Sequence, residues 1–514
     1  MVFSLIHIIV AFSVLFIKHI AALGTFEFDF HNKYSDSVKE ILNIDELPEK
    51  GTFQYYASMV HHDHRRLATK VNSVPLTFAA GNMTVQIDEL GYLHYAVVSI
   101  GTPSKTFLVA LDTGSDLAWI PCDCTDCPRS FMTKKGKKLD LNIYSPSASR
   151  TSSIIPCNSS KCISGQCLDD TGSCRYKITY GDESSSSGIL VEDMLHLVTN
   201  DDPQKAVHTS VTLGCGMHQT GGLLTGGGLN GLFGLGADSI SLPSMLANKN
   251  VTADSFSMCF GENGVGKIVF GDKGSSSQAE TPYFVHSLFP TYSITMRQIS
   301  VGGEVKSVDF AAIFDSGTSF TYLQDPAYSI IANSFNSQVQ DSRYHNISEV
   351  LFEFCYNLRE TPPNPPKLSF TAEGGSSFDV TTPIAMFSNQ ERNGNIYCLT
   401  IIKSENMSII GQNFMRGHQI VFNRERKILG WQESDCSATP PPYHSSTPPH
   451  SPLNNQLVPP PRSPIPHRSG AVYPDGARAS DSTSSGLKLM SFFSRKLLVL
   501  CFEQLFLSIY SINY

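Results

Sequence analysis

Short apolar or alternating runs, separated by Gly, Ser, Asn and Pro, dominate the middle of the chain. The clearest of these runs lie at 176–180, 210–215, 267–272, 293–303 and 418–431. Runs of this length fit strands that are buried on one or both faces. Apolar residues at helical spacing are scarce, and the stretch near 328–339 is the best candidate for a helix. The pattern therefore predicts a mainly β protein.

Two segments of this pattern repeat each other. In each, an apolar run that predicts a buried strand is followed by Asp, a hydroxyl residue, Gly and a second hydroxyl residue. The two turns are Asp112-Thr113-Gly114-Ser115 and Asp315-Ser316-Gly317-Thr318. Each turn has a downstream echo of two apolar residues and a glycine, at Leu232-Phe233-Gly234 and Ile409-Ile410-Gly411. The same signature, occurring twice in the same order, predicts two related lobes.

A cysteine-rich insert accounts for the greater length of the first lobe. Of the 13 cysteines, seven crowd into the run from Cys122 to Cys174, between the first turn and its downstream glycine. The crowded cysteines are Cys122, Cys124, Cys127, Cys157, Cys162, Cys167 and Cys174, and the dispersed ones are Cys215, Cys259, Cys355, Cys398 and Cys436. Cys501 lies in the C-terminal tail, and without it an even number remains that can pair completely.

The N-terminal region looks like two removable segments. Residues 1–24 form a nearly unbroken apolar run with a small-residue exit, which predicts a secretory signal peptide. A signal anchor is the alternative, because a positively charged start is missing. Residues 25–80 are polar and His-rich, and we interpret them as a pro-segment, with an ordinary extension as the alternative. Their histidine cluster at 61–64 is expected to be solvated, or else to loosen the segment on acidification.

Secretion would place the chain in an oxidising compartment, where cysteines form disulfides more often than metal sites. Asn-X-Ser/Thr sites at five positions are compatible with a glycoprotein of the secretory pathway. The expected location is extracellular or at the cell surface, with the vacuole as an alternative. The net charge of −8 argues against a nucleic-acid partner.

The C-terminal region changes composition abruptly after Cys436. Residues 437–486 are rich in Pro, Ser and Thr, which predicts an extended stalk without a core. Residues 487–514 end in an apolar tail that resembles a lipid-anchor signal. A glycolipid anchor, a tail-anchored span and an irregular extension remain alternatives, because Glu503 interrupts the tail. Membrane attachment through this tail is therefore one expectation among three.

The two Asp turns suggest acid–base chemistry. Gly114 and Gly317 permit tight loops, and Ser115 and Thr318 are placed to donate hydrogen bonds to the carboxylates. Thr113 and Ser316 are placed to hydrogen-bond across the lobe junction. If pseudo-symmetry brings Asp112 and Asp315 together, the two carboxyls cannot both ionise easily and would share one proton. Such a pair can activate a water molecule and protonate a leaving group without a metal or a covalent intermediate.

These turns, their glycine echoes and the cysteine-rich insert resemble the pepsin family of aspartic proteases, and more closely its nepenthesin-like plant branch, over residues 93–436. In that family a mobile hairpin, the flap, carries a tyrosine that hydrogen-bonds a tryptophan. The matching residues here are Tyr180, with Gly181 and Asp182, and Trp119. Without the family match, Tyr180 and Trp119 could equally be core aromatics. Ser184 to Ser187 are expected at the flap tip, where a glycine would be usual.

The resemblance implies a two-lobed fold, with the N-terminal lobe at 81–275, the C-terminal lobe at 276–436 and the active-site cleft between them. It further implies an aspartic endopeptidase made as a zymogen, with an acidic pH optimum and extended peptide or protein substrates. No cofactor or metal is required, and a monomer is expected. Six disulfides are implied, with the insert at 122–174 closed internally and Cys355–Cys398 as the best single pair.

Three competing interpretations carry less weight. The Gly-rich string at 226–231 matches a dinucleotide-binding pattern, but it lacks the alternating strands and helices that such a site needs. Cys122, Cys124 and Cys127 have the spacing of a zinc knuckle, which secretion disfavours. A binding or inhibitor protein on the same fold would lose a catalytic Asp or the flap tyrosine. Both are present here, which favours the enzyme.

Overall fold

The computed structural model describes the body of the chain, at residues 24–42, 48–67, 94–132, 138–162, 166–167, 172–180, 184–198, 206–224, 230–261, 265–285, 291–345, 352–359, 363–389 and 394–436. The predicted signal peptide, except Gly24, and the whole segment after Cys436 lie outside these residues. So do Gly181 and Asp182. No helix among the described residues is both long and apolar enough to cross a membrane.

Strands account for most of the regular structure, as the sequence pattern predicts. Those before residue 275 are β1 (Phe26–Asn32), β2 (His94–Ile100), β3 (Lys105–Asp112), β4 (Trp119–Asp126), β5 (Ser130–Met132), β6 (Lys138–Asp140), β7 (Ser153–Ile154), β8 (Gln166–Cys167), β9 (Cys174–Thr179), β10 (Ser185–Val198), β11 (Ala206–Thr220), β12 (Leu232–Gly234), β13 (Ser255–Phe260) and β14 (Val265–Phe270). Those after it are β15 (Ala279–Val285), β16 (Tyr292–Val301), β17 (Glu304–Phe314), β18 (Thr321–Leu323), β19 (Cys355–Asn357), β20 (Leu368–Ala372), β21 (Ser377–Val380), β22 (Ile384–Asn389), β23 (Gly394–Leu399), β24 (Ile401–Lys403), β25 (Ser408–Ile410), β26 (His418–Asn423) and β27 (Ile428–Glu433).

Helices are few in the described residues. They are α1 (Asp36–Leu42), α2 (Phe53–Leu67), α3 (Leu242–Asn248), α4 (Ala327–Gln338) and α5 (Gln412–Met415), with 3-10 turns at Pro146–Ala148 and Gly221–Leu223. The helix predicted near 328–339 is confirmed as α4. The longest helix, α2, was not predicted. Its buried face, formed by Tyr55, Met59 and Val60, is hidden in sequence by the polar, His-rich residues that surround it.

The two predicted lobes are built on the same local topology. In the first, β3 ends at Asp112 and pairs in parallel with β12, which places Gly234 opposite Asp112. In the second, β17 pairs in parallel with β25, which places Phe314 opposite Ile410. Each lobe thus sets its Asp turn beside its own apolar-apolar-Gly echo. The fold is mainly β and two-lobed, as the resemblance implied.

Strands from different parts of the chain close the sheet network. Hydrogen bonding joins 22 of the described strands, while β19-β23-β22 and β5-β6 form separate small sheets. Near the C-terminal end of the body, β26 pairs antiparallel with β13 of the first lobe. At the N-terminal end, β1 pairs antiparallel with both β14 and β2. Part of the predicted pro-segment is therefore a strand of the first lobe's sheet.

Aromatic packing binds the lobes at this shared sheet. Phe256 of β13 stacks on Phe422 of β26, with ring centroids 4.7 Å apart. Tyr292 of β16 packs on the same Phe422 ring at 4.7 Å and donates a hydrogen bond to the Leu235 carbonyl at 2.9 Å. All three rings are at most 1% exposed. Because these aromatic rings are buried where the lobes meet, we expect the strands that carry the two Asp turns to keep a fixed position relative to each other.

The twelve cysteines of the body form six disulfides. They are Cys122–Cys215, Cys124–Cys127, Cys157–Cys167, Cys162–Cys174, Cys259–Cys436 and Cys355–Cys398. The expectation that the insert is closed internally is wrong for Cys122, which leaves the insert to pair with Cys215 on β11. Because β4 lies parallel to β11 with Ile120 opposite Cys215, the two thiols are brought together by the sheet. The three cysteines with zinc-knuckle spacing, Cys122, Cys124 and Cys127, therefore form disulfides.

These disulfides differ in the length of chain that they close, which allows a matched stability test. Replacing Cys122 and Cys215 by Ala should cost about 4–5 kcal/mol in the chain-entropy model, whereas replacing Cys124 and Cys127 should cost about 2 kcal/mol. The reason is that the first bridge spans 93 residues and the second spans 3. Thermal unfolding followed by fluorescence would measure both. Equal losses for the two double variants would contradict the loop-length explanation.

Candidate active site

The first Asp turn leaves β3 directly into a short loop. Asp112 is the last residue of the strand and is 2% exposed. Its carboxylate accepts hydrogen bonds from the Gly114 amide at 2.9 Å and from the Ser115 hydroxyl at 2.8 Å. Its carbonyl accepts a bond from the Leu235 amide at 2.8 Å. These bonds hold the carboxylate in one orientation.

The second Asp turn repeats this arrangement. Asp315 follows β17 and is 5% exposed. Its carboxylate accepts bonds from the Gly317 amide at 2.9 Å and from the Thr318 hydroxyl at 2.7 Å. The Asp315 amide donates to the Ile410 carbonyl at 3.2 Å. Ser115 and Thr318 therefore each donate a hydrogen bond to the carboxylate of their own turn, as predicted.

The two turns are joined by their second residues. The hydroxyls of Thr113 and Ser316 lie 3.2 Å apart, and the Ser316 amide donates to the Thr113 hydroxyl at 3.2 Å. Both side chains are 1% exposed. This contact crosses between lobes, as predicted from the repeat. It holds the Asp112 turn next to the Asp315 turn at one buried position.

The downstream glycines are required by the close approach of backbone. A Cβ on Gly234 would lie 2.2 Å from the Asp116 carbonyl carbon, and one on Gly411 would lie 2.1 Å from the Phe320 oxygen. Contacts this short cannot be accommodated by side-chain movement, because the neighbouring atoms are backbone. The glycine of each echo is thus the position where β12 or β25 passes against the chain that follows its Asp turn.

The predicted flap is the hairpin between β9 and β10. The Trp119 indole donates a hydrogen bond to the Tyr180 hydroxyl at 2.6 Å. Trp119 is 1% exposed and packs in an apolar cluster, while Tyr180 is only partly buried. The core and functional interpretations therefore both apply to Trp119: its ring belongs to the core, and its polar edge holds Tyr180.

The expectation for the flap serines is wrong. The Tyr180 amide donates to the Ser184 carbonyl at 2.8 Å, which closes the loop at the first of the four serines. Ser185 to Ser187 belong to β10, and the Ser186 hydroxyl bonds the buried Tyr176 hydroxyl at 2.9 Å. The serines are therefore part of the flap's return strand and not of its tip. Tip residues 181–183 lie outside the described part of the chain.

Asp116 is a third carboxylate near the first turn that sequence reasoning did not single out. Its Oδ1 accepts a hydrogen bond from the Asp238 amide at 2.8 Å, which ties the first Asp turn to the chain after β12. Burial raises the pKa of the Asp116 carboxyl to about 6, and the nearby Asp238 and Asp112 carboxylates act in the same direction. The sequence feature that could have identified Asp116 is its position at the end of the string Asp-Thr-Gly-Ser-Asp.

The helix α2, within the predicted pro-segment, is a second feature that the sequence did not reveal. Asp63, 0% exposed, accepts hydrogen bonds from the amides of Ser319 and Phe320, directly after the second Asp turn. His62 bonds the Gly317 carbonyl at 2.9 Å. The 61–64 cluster was expected to be solvated, and for these two residues that expectation is wrong. The side chains of His61 and His64 are outside the described set.

Comparisons with known proteins agree with this geometry. A family model described as "Xylanase inhibitor N-terminal" matches residues 94–272, and one described as "Xylanase inhibitor C-terminal" matches residues 291–433. "Aspartyl protease family protein 1" of Arabidopsis thaliana is 51% identical over 425 residues, which cover 80% of this chain and 82% of that protein. "Aspartic proteinase nepenthesin-1" of Nepenthes gracilis is 29% identical over 368 residues, covering 66% and 78%.

Similarity among solved structures concerns the fold alone. The crystal structure of Basic 7S globulin from soybean aligns with a TM-score of 0.52 and 18% identity, covering 66% of this chain and 91% of that one. The match extends over nearly the whole of the globulin, so its two-lobed architecture is the one seen here.

The contact between the lobes can be tested at Thr113. Replacing Thr113 with Val keeps the shape but removes the hydroxyl, which leaves the Ser316 amide and hydroxyl without that buried partner. The expected loss of stability is about 1–3 kcal/mol, and misplacement of the carboxylates should lower kcat by roughly tenfold or more. Thr113→Ser keeps the hydroxyl and is the matched control. A Val variant that equals the Ser variant in melting temperature and kcat would contradict the role.

The raised pKa of Asp116 gives a pH-dependent prediction. Because the pKa is about 6 in the folded chain and near 3.8 in the unfolded chain, folding takes up a proton in between, and stability falls as pH rises through 6. Asp116→Asn still accepts the Asp238 amide but does not ionise. It should therefore be more stable than wild type at pH 7.5, by about 1–2 kcal/mol after allowance for partial solvation.

The difference between the two chains should vanish near pH 4, where the Asp116 carboxyl of the wild type is protonated. Melting temperatures at both pH values, in an Asp112→Asn background that prevents self-cleavage, provide the measurement. An Asn variant whose stability differs from that of the wild type by the same amount at both pH values would contradict the raised pKa of Asp116.

Proposed function

Because this chain belongs to the plant aspartyl protease family, and is an aspartic endopeptidase, we propose that it hydrolyses peptide bonds with a water molecule activated between Asp112 and Asp315. The observation that carries the proposal is the pair of buried carboxylates, each fixed by an amide and a hydroxyl, on turns joined through Thr113 and Ser316. Two carboxyls held in this way can share a proton and act together.

In the proposed step, the ionised member of the pair takes a proton from the water as the water oxygen attacks the peptide carbonyl carbon. The protonated member hydrogen-bonds the carbonyl oxygen and stabilises the charge that develops there. Collapse of the tetrahedral intermediate breaks the C–N bond, and the leaving nitrogen receives a proton from the pair. The Ser115 and Thr318 hydroxyls keep the carboxylates in plane throughout.

An acidic pH optimum follows from the same pair. One carboxyl must remain protonated, and the fraction of molecules that keep this proton falls as the pH rises above the upper of the two apparent pKa values. Activity should therefore fall toward neutral pH. The two values belong to the pair as a unit and not to one residue.

We further propose that substrates are extended peptides held under the flap. Tyr180, fixed by Trp119, would cover the scissile bond, and exposed backbone in the cleft would bind the substrate as an added strand. Gly181 and Asp182, which follow Tyr180 on the flap, are assigned to the same region by the family match alone. The chain would act as a monomer, since both catalytic turns come from one polypeptide.

The precursor form and location are also proposals. Residues 25–80 would be removed on activation, and the chain would enter the secretory pathway and reach the cell surface or exterior. Six disulfides are consistent with an oxidising compartment. Of the Asn-X-Ser/Thr sites, Asn158, Asn250 and Asn406 are exposed and open to glycosylation. A glycolipid anchor on the C-terminal tail would be recognised by release with a phosphatidylinositol-specific phospholipase.

The catalytic proposal is tested by two single substitutions. Asp112→Asn and Asp315→Asn keep the size of the side chain but remove its ionisation, so each should lower kcat/KM for a peptide substrate by roughly a thousandfold or more. Asp309→Asn is the matched control, because Asp309 lies on β17 and pairs with Arg297 at the surface. Assays from pH 3 to pH 8, with and without pepstatin, complete the test.

Retained activity in either variant, or cleavage that pepstatin does not affect, would overturn the mechanism. The control separates loss of catalysis from a general effect of losing a carboxylate on the same strand.

A further inference from the structure

His196 and His208 face each other across the hairpin that β10 and β11 form. They lie directly opposite in the antiparallel register, so both rings stand on the same face of the hairpin. The neighbouring residues of β10 point to the other face, where Leu195 and Leu197 are 0% and 5% exposed. The two histidines therefore lie on the side that faces solvent, with His208 exposed and His196 half-buried.

The turn that follows β2 fixes the orientation of the His196 ring. Its Nε2 lies 2.9 Å from the Gly101 carbonyl oxygen. The Gly101 amide in turn donates to the Met194 carbonyl at 2.8 Å, and Ser99 lies opposite His196 where β2 pairs with β10. The ring and the turn are thus held by the same pair of strands.

The hydrogen bond to Gly101 decides what each nitrogen of the His196 ring can do. Because a carbonyl oxygen can only accept, Nε2 carries the proton, and Nδ1 of the neutral ring offers a lone pair. The Nδ1 atom of His208 lies 2.6 Å from this Nδ1, with the ring planes inclined at 70°. In the neutral pair, His208 donates this bond. Two imidazole nitrogens therefore meet at one point of the surface.

We propose that His196 and His208 form a Cu(II) site, in which both Nδ1 atoms bind the metal and water molecules complete its coordination. Imidazole nitrogen is a good ligand for copper. Metal-bound histidines usually donate their second ring N–H to a carbonyl or carboxylate, and the bond from His196 to Gly101 already has this form. When the metal replaces the hydrogen bond between the rings, the proton of His208 moves to its own Nε2, so both rings stay neutral.

The choice of metal follows from the separation of the two nitrogens. At a metal–nitrogen distance of about 2.0 Å, two ligands at a right angle lie about 2.8 Å apart, and two tetrahedral ligands lie about 3.3 Å apart. The observed 2.6 Å is closer to the first value, and the right angle is that of square-planar Cu(II) or Ni(II). Cu(II) binds the same ligands more tightly than Ni(II) or Zn(II) does.

The pair is the whole of the protein's contribution to this site. Within the part of the chain that the structure describes, no group of three or more His, Cys, Asp and Glu side chains is placed to hold a metal ion. The site is also remote from catalysis, because β10 begins at Ser185 in the flap and runs roughly 35 Å to His196 at about 3.3 Å per residue. A metal bound to both strands joins the hairpin at its far end, and its test does not depend on activity.

Copper titration tests the ligand pair. The full-length, untagged chain carries Asp112→Asn to prevent self-cleavage, and isothermal titration calorimetry at pH 7.5 counts the Cu(II) that it binds. His208→Ala should bind about one equivalent less than this parent chain, because one ligand of the pair is gone. Copper held by other histidines is common to both chains, so the difference isolates this site.

His218→Ala is the matched control, because His218 is exposed on the same strand and contacts Asp126 instead of a histidine. It should bind as much Cu(II) as the parent chain. Equal stoichiometry in the parent and in His208→Ala, or the same loss in His218→Ala, would overturn the proposal.

A second variant and a spectrum test how the metal is held. His196→Gln keeps a donor for the Gly101 carbonyl but has no imidazole, and it should lose the same equivalent of copper. The electron paramagnetic resonance signal of the copper lost in either variant should show coupling to two nitrogen nuclei. Coupling to a single nitrogen would show that the histidines do not chelate the metal together. Zn(II) should bind this site at least about tenfold more weakly than Cu(II), and equal affinities would refute the choice of metal.

Thermal unfolding gives an independent measurement. Cu(II) at about 100 times its dissociation constant should raise the melting temperature of the parent chain by a few degrees more than that of His208→Ala, because the metal binds the folded pair. Equal shifts in the two chains would mean that His196 and His208 do not form a metal site.

Discussion

The hydrogen-bonded contact between Thr113 and Ser316 is the constraint on which the rest of the structure depends. Two carboxylates repel each other when both are ionised. A protein that holds them close must therefore hydrogen-bond each carboxylate within its own turn and connect the two turns to each other. The link is made by two short side chains that are 1% exposed. The turns are carried by parallel strand pairs in each lobe, and the lobes share a sheet at β13 and β26.

The repeat in the sequence follows from this constraint. Each turn presents its Asp inward and then runs back past its own strand. Such a turn needs one glycine within it and a second glycine on the neighbouring strand, where that strand passes behind the turn. Gly234 and Gly411 occupy the second position, where an added Cβ would lie 2.2 Å and 2.1 Å from backbone atoms. The insert in the first lobe joins that lobe's sheet, because β7 pairs with β10, and Cys122–Cys215 ties β4 to β11.

Sequence reasoning recovered the elements that are encoded locally and missed those set by partners distant in the chain. The strands, α4 and the two turns follow from periodicity and from residue types at fixed spacing. The Cys122–Cys215 pair depends on strand register, which spacing does not reveal, and the position of the flap serines depends on where the hairpin closes. The helix α2 was obscured because its polar residues, His62 and Asp63, are buried only by contact with Gly317, Ser319 and Phe320.

The two Asp turns are alike in sequence, but they differ in where their backbone groups find partners. At the first loop, the recorded bonds come from the same lobe, with Gly236 donating to Ser115 and Leu235 donating to Asp112. At the second, Ser319 and Phe320 donate to the Asp63 carboxylate of helix α2. Buried amides need acceptors, and for these two the acceptor comes from a helix that precedes the first lobe in the chain. The pseudo-symmetry of the two turns therefore does not extend to the partners of the backbone that follows them.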